Sequence, residues 1–269
     1  MTAVVYGFVR AAGDGWGDSV TVASFVAGAA LIAAFVLTER RAEQPITPLR
    51  LFASRERSGA YAARLLTVGG MFAMFFFLTQ FLQGVRGFSP LEAGIAFLPM
   101  TLVLFAMVQV VPRLTTRFGG MRLLVVGLLL AIAGMAWISR ISPGTSYFPD
   151  IAVPLVLLGL GIGTALIPLT GSGIAGVAPA DAGAASGLVN VSQQVGAALG
   201  ISILVTVFAS ADDGAAGGTR AATDGLADGV AASLTGSVVF LALALAVVLV
   251  VMRRRPRAVP VTQPEAATR

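Results

Sequence analysis

Apolar residues in this chain do not alternate with polar ones; they run together. Seven stretches, residues 20–38, 60–82, 91–111, 123–139, 151–170, 188–209 and 233–252, are apolar and almost free of charge. Each holds on the order of 20 residues, the length an α-helix needs to cross ~30 Å of hydrocarbon. Helices satisfy every backbone N–H and C=O within one segment, as lipid demands. The pattern therefore predicts an all-α fold, a polytopic membrane helix bundle. Residues 1–9 are apolar too, but as helix they span only ~14 Å. They lack the charged start and small-residue cleavage site of a signal peptide, and read as the last turns of a truncated transmembrane helix.

The connections carry breaker chemistry. Residues 11–18 contain three glycines and two aspartates. At 87–92, Ser89 suits an N-cap, Pro90 the first helical position, and Glu92 the closing residue of a capping box. Residues 141–150 hold two prolines and a glycine. Residues 211–229 are rich in alanine, glycine and aspartate and predict a mobile loop. The expected organisation is a helix remnant (1–9), an accessory span with its linker (20–57), a six-helix bundle (58–252) and a disordered basic tail (253–269).

Composition narrows the function classes. Of 269 residues, 57% are hydrophobic and 12% charged, about half the charge of a soluble domain, and the mean hydropathy is +0.89. The net charge of +5 rests on arginine alone. Those arginines flank the apolar runs, as membrane topology requires, so no nucleic-acid partner is expected. With no cysteine or histidine, thiolate nucleophiles, zinc-type sites and imidazole acid–base chemistry are excluded. Neither an enzyme nor a cofactor site is indicated. Alternating the seven spans puts fourteen arginines (Arg40, Arg41, Arg50, Arg55, Arg57, Arg64, Arg113, Arg117, Arg122, Arg253, Arg254, Arg255, Arg257 and Arg269) on one side and four (Arg10, Arg86, Arg140 and Arg220) on the other. The positive-inside rule makes the first side, with the C-terminus, cytoplasmic; the location expected is the cell's inner (plasma) membrane.

Four stretches, in order, resemble the C-terminal half of a major facilitator superfamily transporter, of the fourteen-helix drug:proton antiporter kind. They are residues 39–52, residues 81–94 with Leu98 and Pro99, residues 113–119, and the glycine-rich pair 159–163 and 182–200 around Asn190-Val191-Ser192-Gln193-Gln194. In the third, Arg113, Arg117 and Gly119 match a degenerate copy of the superfamily's cytoplasmic loop motif. Thr116 stands where that motif has an acidic residue and Pro112 where it has a glycine, so its gating salt bridge is not carried over. The resemblance implies efflux of small amphiphilic molecules coupled to protons. It also implies that the first six helices of the family, with their proton-coupling carboxylate, lie outside this sequence. The chain is then expected to be a fragment or half-transporter, working with a separate N-terminal half or a second copy and unable to run proton-coupled transport alone. The alternative is a non-transporting remnant or a partner-binding membrane subunit.

Two polar clusters stand out inside the runs. Ser186, Asn190 and Gln193 or Gln194 recur at three- and four-residue spacing and so share a helical face. Amides in hydrocarbon need partners, which either a substrate cavity or hydrogen bonds between packed helices would supply. Phe76, Gln80 and Gln83 share a face in an aromatic-rich segment. Aromatic walls with a few amides suit a site for varied amphiphiles, and equally suit lipid-facing rings with headgroup-level glutamines. The pairs Gly159/Gly163, Gly183/Gly187 and Gly196/Gly200 predict close helix packing. Arg64, near the start of its run, is expected to snorkel to the interface, and Pro168 to mark a kink or the cytoplasmic end of its helix.

Overall fold

A computed structural model describes residues 2–42, 47–211 and 218–252. The expected tail, 253–269, and the linker residues 43–46 lie outside the described residues. The chain is built of α1 (Thr2–Asp14), α2 (Ser19–Arg41), α3 (Arg55–Gln80), α4 (Pro90–Ala96), α5 (Leu98–Phe118), α6 (Gly120–Ile138), α7 (Ala152–Ile174), α8 (Ala182–Ala211) and α9 (Gly218–Val247). A wide π turn, Phe81–Val85, prolongs α3, and another, Val248–Met252, prolongs α9. Among the described residues, seven helices are long and apolar enough to cross a membrane. Each crossing corresponds to one of the seven runs.

Helix α3 is the hub. It packs on α7, α8 and α9, while α6 closes the back against α7 and α9, and α5 lies along α7. Met74, Phe77 and Leu78 of α3, with Phe81 of the π turn, meet Met100, Met135, Leu155 and Leu158 in the largest core. Close approach is set by glycine. A β-carbon at Gly159 would stand 2.6 Å from the Met100 carbonyl oxygen, and one at Gly163 would stand 2.8 Å from the Met107 side chain. These two bring α7 onto α5, as their spacing predicts. Gly196 and Gly200 bring α8 onto α3 at Leu65 and Gly69. Gly183 and Gly187 behave otherwise: a β-carbon at either would meet nothing within 4 Å, so this small-residue pair is not a packing seam among the described residues.

The first hairpin docks on the flank of α8. Phe8, Trp16 and Phe25 form an aromatic knot, and the Thr206 hydroxyl donates to the Phe8 carbonyl. Asp18 caps α2, accepting from the Thr21 N–H at 3.0 Å, and also accepts from the Arg10 guanidinium at 2.8 Å. The Arg10 hydrogen bond and then the Thr21 N–H hold its carboxyl below the ordinary range.

Three expectations are corrected. Helix α1 runs on to Asp14, so the first turn region begins later than residue 11. The third crossing is Leu98–Phe118, displaced from 91–111, because the capping box at Ser89 starts a separate short helix. The Ser89 N–H donates to Glu92 at 2.8 Å, and the Glu92 N–H donates to Ser89 at 3.3 Å. These contacts hold the Glu92 carboxyl below its usual range, the Ser89 backbone N–H contributing most. A break at Phe97, with Pro99 just after it, then re-aims the chain into α5. Finally, α9 begins at Gly218, inside the stretch expected to be a loop. Alanine favours helix, and Ala227 and Val230 are fully buried, so packing extends the helix past the point where apolarity ends. Pro168, expected at a kink or helix end, lies buried within α7, which continues to Ile174.

Candidate functional site

One face of α8 is left open. Gly183, Gly187, Asn190 and Gln194 are all exposed and, at three- and four-residue steps, follow one stripe. The Asn190 amide donates only to the Ser186 carbonyl, one turn back, at 3.3 Å. Amides against hydrocarbon are costly unless partnered, which sets this stripe apart from the apolar surface around it. Two turns further along the same face, Ile201 meets the second cluster. A groove of about 440 Å³ is lined by Phe72, Phe75, Phe76, Thr79, Gln80, Gln83 and Ile201. Phe76 is 41% exposed and T-stacks on the buried Phe77, which holds its ring at the groove wall. The fold thus gathers Phe76, Gln80 and Gln83 in one groove beside Ile201, and Asn190 and Gln194 lie further along the same face of α8.

Gln193 parts company with its neighbours. It is turned about 100° from Gln194 on an ideal helix, and its amide oxygen accepts from Arg64 Nη2 at 2.7 Å. Arg64 Nη1 donates to the Thr170 hydroxyl, also at 2.7 Å, so the guanidinium ties α3 to both α7 and α8. The expectation that Arg64 snorkels is corrected: it is 8% exposed and stands nine residues into α3, about 14 Å along the helix. The converging ends of α7 and α8 close over it. Sequence reading missed this cluster because its three members come from three distant runs.

The arginine-rich ends of these helices are clamped together. Arg50 binds Asp181 through Nε at 2.8 Å and Nη2 at 2.7 Å. Arg57 donates to the carbonyls of Leu51 and Ala175, and the Tyr61 hydroxyl donates to the Gly173 carbonyl at 2.7 Å. Bidentate pairing fixes geometry as well as charge, so Asp181 anchors the corner between α7 and α8. Asp181→Asn is expected to raise amide hydrogen exchange at 174–185 and lower the melting temperature, leaving the α6–α7 contact protected; unchanged exchange at that corner would contradict the clamp.

Arg113 and Arg117 lie in the last two turns of α5, not in a loop; the connection to α6 is Gly119 alone, at φ +84°. Only a residue without a β-carbon takes that conformation readily. Arg113 donates to the Gln109 carbonyl at 3.4 Å and Arg117 lies 5.4 Å from the Phe118 ring. Among the described residues neither has a carboxylate within salt-bridge distance.

Seven apolar crossings around a glycine-packed core, with one polar face left open, define a multi-pass membrane helix bundle. The chain belongs to the Major Facilitator Superfamily, whose family model matches residues 9–201. This is a superfamily of transporters rather than of enzymes. Over 204 residues the chain is 40% identical to the puromycin resistance protein pur8 of Streptomyces alboniger, covering 75% of this chain and 40% of that protein. It is 34% identical to the cephamycin export protein CmcT of Amycolatopsis lactamdurans, over 75% of this chain and 42% of the relative. It is 35% identical to the tetracenomycin C resistance and export protein of Streptomyces glaucescens, over 74% and 37%. The chain therefore matches about two fifths of the length of these curated relatives.

Proposed function

We propose that this chain forms one bundle of a plasma-membrane exporter of small amphiphilic molecules, coupled to protons and completed by a second bundle. The observation that carries the reading is the aromatic and amide-lined groove at Phe72, Phe76, Gln80 and Gln83, beside the α8 face that also exposes Asn190 and Gln194. In a protein of this superfamily, substrate sits near the midplane between two bundles that rock about it. Aromatic walls from Phe72 and Phe76, with amides from Gln80, Gln83, Asn190 and Gln194, would face that midplane. Relatives bearing the names of puromycin resistance and of cephamycin and tetracenomycin C export support an amphiphilic drug-like cargo. The proton-coupling carboxylates belong to the facing bundle.

The test uses everted membrane vesicles containing both bundles, an imposed pH gradient and a fluorescent cationic dye. Gradient-driven uptake that an uncoupler abolishes is expected, and vesicles with this chain alone should show none. No uptake with both bundles present would favour a non-transporting subunit instead.

The reading also places the arginine-rich side in the cytoplasm. Because the chain has no cysteine, single thiols report cleanly. Gly144→Cys, in the α6–α7 connection, should react with an impermeant maleimide on intact cells, and Arg41→Cys only after lysis. The opposite pattern would invert the topology.

A further inference from the structure

We infer that Arg64 is half of a carboxylate-binding site, which goes beyond the transport reading and rests on it only where the carboxylate comes from a facing bundle. Arg50 shows how a guanidinium in this chain engages a carboxylate: its Nε and Nη2 edge meets both oxygens of Asp181. Arg64 presents the same edge in a buried setting. Nη2 of that edge is held by the neutral amide oxygen of Gln193, and the buried Nε has no hydrogen-bond partner among the described residues. Nη1, on the other side, is held by Thr170, whose own hydroxyl proton goes to the Leu166 carbonyl. No carboxylate stands within salt-bridge distance of Arg64 among the described residues. A buried cation with only neutral partners is unfavourable, and an ionisable group inside a segment long and apolar enough to cross a membrane is a functional-site candidate by default.

The access route follows from α8. Gln193, half-buried and bonded to Nη2, directly precedes the exposed Gln194 on α8, so of the two side chains that hold Arg64 it is the one that adjoins the open stripe of Asn190 and Gln194 along the chain. Rotation of that one amide frees Nη2, and a carboxylate arriving along the stripe can then take Nε and Nη2 together, the two-point geometry that arginine favours. The structure supports two sources of that chemistry. One is an acidic side chain on a facing bundle, whether a second half or a second copy. The other is the carboxylate of a small molecule held on the polar surface.

The probe is benzoate, with benzamide as its uncharged control, titrated against the purified full chain in lipid vesicles. If a small molecule is the source, benzoate binds and benzamide does not. Arg64→Gln then weakens benzoate binding about tenfold or more, as loss of a charge-assisted contact implies, while Arg64→Lys keeps part of it. If a protein carboxylate is the source, benzoate fails to bind. Dipolar-recoupling NMR then shows Arg64 Nε beside a labelled aspartate or glutamate carboxyl. The same NMR measurement on wild-type protein, with carboxyl-labelled benzoate or labelled acidic residues, decides the matter should the variants fail to fold. Neither benzoate binding nor an Nε–carboxyl contact in the assembled transporter would overturn the assignment.

Discussion

Gly200→Leu is expected to destabilise the bundle by about 3 kcal/mol. Helices α3 and α8 meet backbone to backbone here. A β-carbon at Gly200 would fall 2.6 Å from the Gly69 carbonyl carbon, and one at Gly69 would fall 2.9 Å from the Gly196 carbonyl oxygen. Side chains can swing away from such a clash, but backbone atoms cannot. The helices would have to separate along the contact that also carries Arg64 and Gln193. Overpacking of a well-fitted core typically costs about 1–3 kcal/mol, and the larger end applies where backbone must move. The measurement is unfolding in a detergent titration, read with the fraction of monodisperse protein. Gly183→Leu is the control: same helix, same four-residue pairing, but open space around it. It should stay within about 0.5 kcal/mol of wild type. Equal damage at both positions would show that α8 does not pack as described.

The second large effect separates neighbours on one helix. Asn190→Leu with Gln194→Leu should leave folding and expression near wild type, since Asn190 bonds only within α8 and Gln194 has no hydrogen bond among the described residues. Dye transport by the assembled exporter should nonetheless fall about tenfold, the sum of two polar contacts worth roughly 0.5–1.5 kcal/mol each. Gln193→Leu should do the reverse. It strips Arg64 of an acceptor and lowers thermal stability first, with any transport loss following from reduced protein. Expression loss in the double variant with normal transport per molecule would mean that those amides join helices rather than face cargo.

These contrasts mark where reading along the chain ends. The seven crossings were legible because lipid imposes a length and a composition on each segment separately, and both are local properties. The capping box at Ser89 and Glu92 was legible for the same reason: its partners lie three residues apart. The start of α9 was not. Residues 218–229 are polar enough to read as loop, and only the burial of Ala227 and Val230 against other helices makes helix the better state there.

The candidate site divides along the same line. Sequence alone determined that Asn190 shares a helical face with Gln193 or Gln194, and that Phe76, Gln80 and Gln83 share another. It did not determine which glutamine turns outward, which glycine pair packs, or that Arg64 is buried. Gly183/Gly187 and Gly196/Gly200 have the same spacing on the same helix, yet one is empty and the other is a seam. The reason is that Gly196 and Gly200 face Leu65 and Gly69 of α3 while a β-carbon at Gly183 or Gly187 would meet open space, and a contact belongs to two helices at once. Arg64, Thr170 and Gln193, more than a hundred residues apart at the extremes, meet because α7 and α8 converge on the arginine-rich end of α3. That convergence is a property of the packed bundle, carried by Gly69, Gly196, Gly200 and the Arg50–Asp181 clamp, and no single segment encodes it.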